Sequence, residues 1–283
     1  MTLFVRGSRR LTLLGSMVIV LMASAAGTQE QPVAPSVPMT RTEKEEFLLK
    51  ANIVDEGDTS TGSKFWRVTL DDGKRKHDAA IEASTSRDAS QRNYRFNVAA
   101  YELDKALELN FVVPSVERTI KGQPAAFTWW VDDVLMNEQS RRGQKIEPPD
   151  PDRWKKQMQV VRVFDELIAN AYRKVSPAFY LATMWDNLLI TKEWRIWLVD
   201  HTRTFGTSGQ LENSQSLAQC DRTLLAKLRE LTRVVMKQKL EKYLDVDQLD
   251  ALEARRELLI KHFAEQIALK GEGAVLYDLP PRQ

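Results

Sequence analysis

Two short apolar runs, 188–190 and 196–199, flank the polar Thr191-Lys192-Glu193. Runs this brief and this close together cannot make helices, and they read as the two strands of a β-hairpin. Each run has one oxygen-bearing residue at its open end: Asn187 starts the first strand and Asp200 finishes the second. Antiparallel pairing across the turn would bring an amide oxygen and a carboxylate side by side, a donor set suited to one hard cation such as Mg²⁺.

The N-terminal segment is of a different kind. Arg6, Arg9 and Arg10 precede an apolar run over 11–26, and Ala23-Ser24-Ala25 has the small-residue spacing of a cleavage site. Residues 1–25 therefore read as a secretory signal peptide, the run being short for a membrane span and interrupted by Gly15 and Ser16. With no Cys near the cleavage site, a lipoprotein anchor is excluded. The expected location is periplasmic or secreted, with membrane contact only through this segment during export. Residues 26–42, rich in Pro, Gln and Val, read as a tether.

Cleavage would remove three Arg and no acid, taking the formal charge from +2 to −1. That balance gives no electrostatic reason to expect a nucleic-acid partner. Cys220 is the only cysteine, so no internal disulfide is expected, and it reads as a small buried hydrophobe. Stability must come from apolar burial, which a 43% hydrophobic composition supplies.

Strand patterns occur at 47–54, 65–70 and 77–83, with Asp71-Asp72-Gly73 as a hairpin turn, and the small polar stretch 55–64 links the first two. Asn93 is placed to cap a helix over 94–109, whose apolar face is Phe96, Ala99, Ala100, Leu103 and Leu107. Strand character returns at 111–116, 118–121 and 124–131. There the adjacent Trp129 and Trp130 must face opposite sides, so at least one is core. A polar loop over 137–151 leads to a helix over 153–170. After the hairpin come a loop over 206–215 and helices over 221–231, 232–244 and 245–270, the last ended by Gly271. His77, His201 and His262 have no metal-ligand spacing, and no Gly-x-Ser-x-Gly elbow supports hydrolysis.

The hairpin with Asn187 and Asp200 resembles the centre of the protein-kinase-like superfamily, in the branch holding lipid kinases, HipA-like kinases and secretory-pathway kinases. More narrowly, Tyr94-Arg-Phe-Asn-Val-Ala-Ala-Tyr-Glu-Leu-Asp104, Phe127-Thr-Trp-Trp-Val-Asp-Asp133 and Trp197-Leu-Val-Asp-His-Thr-Arg203 are similar to a group of exported bacterial members. The resemblance covers nearly everything after the first forty residues. It implies an α+β, two-lobed protein-kinase-like fold: a β-rich N-lobe with one long helix over 43–136, a connector over 137–152 and a mostly helical C-lobe over 153–283. It further implies ATP with Mg or Mn. Asn187 and Asp200 would be the metal ligands, Ser60, Thr61, Gly62, Ser63 and Lys64 would meet phosphates, and Trp130 and Val131 would meet the base.

Three departures bear on activity. Tyr172 stands where the family has a carboxylate, and a phenol is a neutral donor at pH 7. The apolar stretch 175–185 is extra relative to the family pattern, and Glu82 lies where the strand Lys is sought. The leading expectation is an exported kinase-fold protein with a partial nucleotide and metal site and impaired catalysis. One alternative is an active phosphotransferase in which Asp186 supplies the missing carboxylate. Another is a nucleotide-free binding protein that engages a protein partner through 175–185.

Overall fold

The computed structural model describes residues 39–57, 65–84, 92–170, 185–280 and 282. The first described element corrects the strand expected at 47–54. Thr40 and Glu43 form a reciprocal capping box, with Thr40 Oγ1 accepting from Glu43 N at 3.2 Å and Glu43 Oε2 accepting from Thr40 N at 2.6 Å. The box starts helix α1 (Arg41–Lys50), which takes the apolar Phe47 and Leu48 as its buried residues, and strand β1 (Asn52–Glu56) follows. A short apolar run does not by itself separate helix from strand, and here the cap decides.

Strands β2 (Phe65–Asp71) and β3 (Lys76–Glu82) form the expected hairpin. Asp71 and Asp72 carboxylates accept backbone N–H groups of Gly73, Lys74 and Arg75, and Gly73 takes a φ of +84° that disfavours a side chain. Helix α2 (Arg95–Ala106) is preceded by Asn93, whose Oδ1 accepts Arg95 N–H at 3.0 Å. Strands β4 (Ser115–Ile120) and β5 (Gln123–Trp129) complete an antiparallel sheet of order β1-β2-β3-β5-β4. Residues 111–114 do not join it as expected. The fully buried Asp104 carboxylate takes the N–H groups of Asn110, Phe111 and Val112 at 3.1, 2.8 and 3.0 Å, donors that a ladder would need.

The polar stretch after β5 also differs from a plain loop. It holds strand β6 (Val134–Asn137) and helix α3 (Glu138–Gly143), begun by Asn137 Oδ1 accepting Ser140 N–H at 2.8 Å. Helix α4 (Pro151–Leu167) starts two residues before the expected point, with Asp150 as its cap and Pro in the first turn. The hairpin is present as β7 (Leu188–Thr191) and β8 (Ile196–Leu198), and β6 pairs with β7 to make three strands. Strand β9 (Cys220–Asp221) then pairs in parallel with the late β10 (Leu276–Tyr277). Between them lie α5 (Arg222–Glu230), α6 (Arg233–Leu240), α7 (Val246–Lys270) and α8 (Glu272–Val275). Gly271 ends α7 at a φ of +83°.

Two main apolar cores result. One lies between α1 and the five-stranded sheet, around Leu48, Leu70, Ile81 and Phe127. The larger joins α2, α4, the hairpin and α5–α7, and it contains Cys220, whose thiol burial pushes its pKa up. A buried cation ties the second core together: Arg255 on α7 donates to the carbonyls of Leu167 at 2.8 Å, Gly206 at 2.9 Å and Ser208. Burial lowers its pKa to about 10. Among the described residues no helix is long and apolar enough to cross a membrane.

Candidate functional site

The alternation of β3 and β5 builds a cavity. Ala79, Ile81, Ala125 and Phe127 point into the core beneath α1, which turns Ala80, Glu82 and Thr128 to the opposite face. That face, the segment after β5 and the β7–β8 hairpin enclose about 760 Å³. One side of it is apolar, formed by Ala80, Trp130, Val131, Val134, Leu189 and Val199. At the other side Glu82, Arg92, Asn97 and Asp200 converge. An apolar chamber with a few polar groups gathered at one side is the usual form of a small-molecule site.

Arg92 links that polar side. Its guanidinium meets Glu82 Oε2 at 2.6 Å and 2.9 Å, and it reaches Asp200 Oδ2 at 3.1 Å and Oδ1 at 3.3 Å. Glu82 is only 2% exposed, so Arg92 neutralises a carboxylate that would otherwise be costly to bury. Asp200 has a φ of +50°, a conformation that costs energy and is retained where the surroundings hold it. Thr202 Oγ1 donates to Asp200 Oδ1 at 2.5 Å. From below, Asn97 Oδ1 accepts the His201 N–H at 2.7 Å, so α2 braces the backbone next to Asp200. His201 itself is buried edge-on to Phe164, a packing position.

The hairpin register fixes where Asn187 stands. Leu188 pairs with Leu198, and the Val199 N–H donates to the Asn187 carbonyl at 3.0 Å, one residue short of Asp200. Asn187 is 7% exposed and sits in a 3₁₀ turn with Trp185 and Asp186. Asp200 lines the cavity, and Asn187 is not among its lining residues. Asp186 is exposed and does not line the cavity. Trp129, Trp130 and Val131 all line it, and Trp129 also packs against Phe47 and stacks on His77 at 3.6 Å. Ser60, Thr61, Gly62, Ser63, Lys64, Tyr172 and most of 175–185 lie outside the described residues. The residue that sequence reasoning missed is Arg92. The signal was Glu82 itself, an acid on the strand that demands a cation from elsewhere.

Among the described residues, the polar side holds two carboxylates against one guanidinium, a net charge of −1. A polyphosphate alone would be repelled there, whereas a divalent ion would reverse the sign. Among the described residues no group of three or more His, Cys, Asp or Glu is placed to hold a metal, and Asp200, already engaged by Arg92 and Thr202, is the carboxylate through which a cation could enter the cavity.

No known protein family matches the chain, and no curated protein matches it in sequence. Among solved structures, the chain has the mixed helix and sheet architecture of the protein-kinase-like fold. It is similar to hydra Fam20 solved with a sugar, with a TM-score of 0.60 at 13% identity over 84% of this chain and 92% of that one. A second similar structure is the Helicobacter pylori proinflammatory kinase CtkA, with a TM-score of 0.49 at 10% identity over 78% and 97%.

Proposed function

We propose that the chain is a two-lobed, exported kinase-fold protein that binds ATP with Mg or Mn in this cavity and is impaired in phosphotransfer. The observation that carries the reading is the meeting of an apolar chamber with the Glu82, Arg92 and Asp200 cluster at one side. Trp130, Val131, Leu189 and Val199 would hold the flat base, as apolar and aromatic walls do. Asp200, with Asn187, would hold the cation, which when bound neutralises phosphate oxygens. Arg92 would take the place of the strand lysine with the charges exchanged, since the acid is on β3 and the cation precedes α2.

What supports impaired catalysis is Tyr172, which stands in the sequence where the resemblance calls for a carboxylate. Tyr172 cannot take a proton at neutral pH, and Asp186 is turned to solvent. Export rests on the arginine-led apolar leader and its Ala-x-Ala site.

Thermal melting of the mature protein with a non-hydrolysable ATP analogue and Mg²⁺ or Mn²⁺, repeated with Asp200→Ala, tests the reading. A stabilisation seen in the wild type and lost in the variant is expected. The absence of stabilisation in the wild type would reject it in favour of a nucleotide-free binding protein.

A further inference from the structure

A second hollow, of about 430 Å³, lies where the 148–150 segment, the first turns of α4, the β7–β8 turn and Arg282 meet. Three guanidinium groups line it, those of Arg153, Arg195 and Arg282. Two of them are fixed by aromatic faces: Arg282 lies over Phe111 with Cζ 3.7 Å from the ring centre, and Arg195 over Trp197 at 4.2 Å. Stacking sets the plane of a guanidinium and leaves its N–H edge for a ligand.

That edge is only partly used. Arg282 donates to the Ile196 carbonyl, but its Nη1 and the Nε of Arg195 are buried with no hydrogen-bond partner. None of the three guanidiniums has a carboxylate within ion-pair distance among the described residues. Two acids share the lining, and they offset the charge only in part: Asp150 is engaged in capping α4, Glu193 acts on Arg195 from the exposed turn without a hydrogen bond, and the buried Asp104, near Arg195 and Arg282, is taken up by Arg41 and the 110–112 N–H groups. Burial, with Arg195 and Arg153 close by and against the opposing effect of Asp104, lowers the Arg282 pKa to about 9. Half-buried like charges with buried, unspent donor atoms are costly to maintain unless an anion joins them.

We infer that this hollow is an oxyanion site, taking a tetrahedral phosphate or sulfate group on Arg195 and Arg282 with the ligand's organic body against Trp194 and Pro148-Pro149. Arg153, at the exposed rim, supplies a third charge. The volume exceeds what a bare ion fills, which is why a body is included. The site is separate from the Asp200 cavity and does not depend on nucleotide binding there.

Calorimetric titration with phenyl phosphate and with phenyl sulfate at fixed ionic strength tests it. Saturable one-to-one binding of at least one ester is expected, and the tighter of the two names the source of the oxyanion. Arg153→Gln, at an exposed position that leaves the fold intact, should weaken binding about tenfold, and Arg195→Gln by more. Asp200→Ala should leave it unchanged. Failure of both esters to bind, equal binding by Arg153→Gln and Arg195→Gln, or loss of binding in Asp200→Ala would each overturn the inference.

Discussion

Arg92 Nη1 lies 3.1 Å from Asp200 Oδ2 while the same guanidinium holds Glu82, so one cation joins the inner strand of the sheet to the end of the hairpin. The two elements belong to different packing cores, and this contact sets the polar side of the cavity between them.

Removing Arg92 leaves Glu82 buried without its partner. Arg92→Met should destabilise the protein by about 1–3 kcal/mol, a figure reduced from that of a fully buried pair because Arg92 is partly open to water. Adding Glu82→Gln should recover part of the loss. Urea denaturation of both single variants and the double variant measures this; strict additivity would contradict direct coupling.

Both neighbouring tryptophans line the cavity, and they should differ in what they contribute to folding. Trp130 lines the cavity, so Trp130→Ala should weaken nucleotide binding about tenfold with a small change in stability. Trp129 packs on Phe47 and His77 besides lining the cavity, so Trp129→Ala should cost about 3 kcal/mol of stability in addition to any loss of affinity. Paired titration and melting of the two variants checks the contrast.

Glu166 on α4 gives a pH dependence. Burial raises its pKa, against the lowering effect of the Glu212 and Asn213 backbone N–H groups it accepts. A carboxyl whose folded pKa is raised binds its proton more tightly when folded. Its contribution is therefore complete below the ordinary carboxylate value and is lost as pH rises through the raised value. Melting temperature followed across that interval should fall less steeply in Glu166→Gln than in the wild type; identical slopes would contradict the assignment.

Arg255 holds the end of α4 and the 206–208 loop by three carbonyls. Arg255→Met keeps the bulk but abandons those acceptors, and should cost about 3 kcal/mol or more. Limited proteolysis should then cut within 206–215 first, whereas a uniform cleavage pattern would contradict a local anchor.

Much of this was legible in the residues, for reasons that differ from element to element. The β7–β8 hairpin was readable because two apolar runs around a charged turn leave no other periodicity, and α4 because its apolar residues recur at helical spacing. The start of α1 was misread because Phe47-Leu48-Leu49 is too short to have a period, and its cap lay upstream in Thr40 and Glu43. Residues 111–114 were misread because a distant side chain, Asp104, claims their donors. Asp200 and Trp130, both of which line the cavity, could be named from local sequence, which a hairpin end and a strand end preserve. Arg92 was not, since its role depends on two carboxylates remote in sequence that only tertiary folding brings to it.

The most direct test is a crystal structure of the mature protein grown with a non-hydrolysable ATP analogue and Mn²⁺. The base should lie between Trp130 and Leu189, with the phosphates at Arg92 and anomalous scattering from the metal beside Asp200. A filled Mn²⁺ and nucleotide site elsewhere on the molecule, or a cavity without ligand density at saturating analogue, would contradict the account.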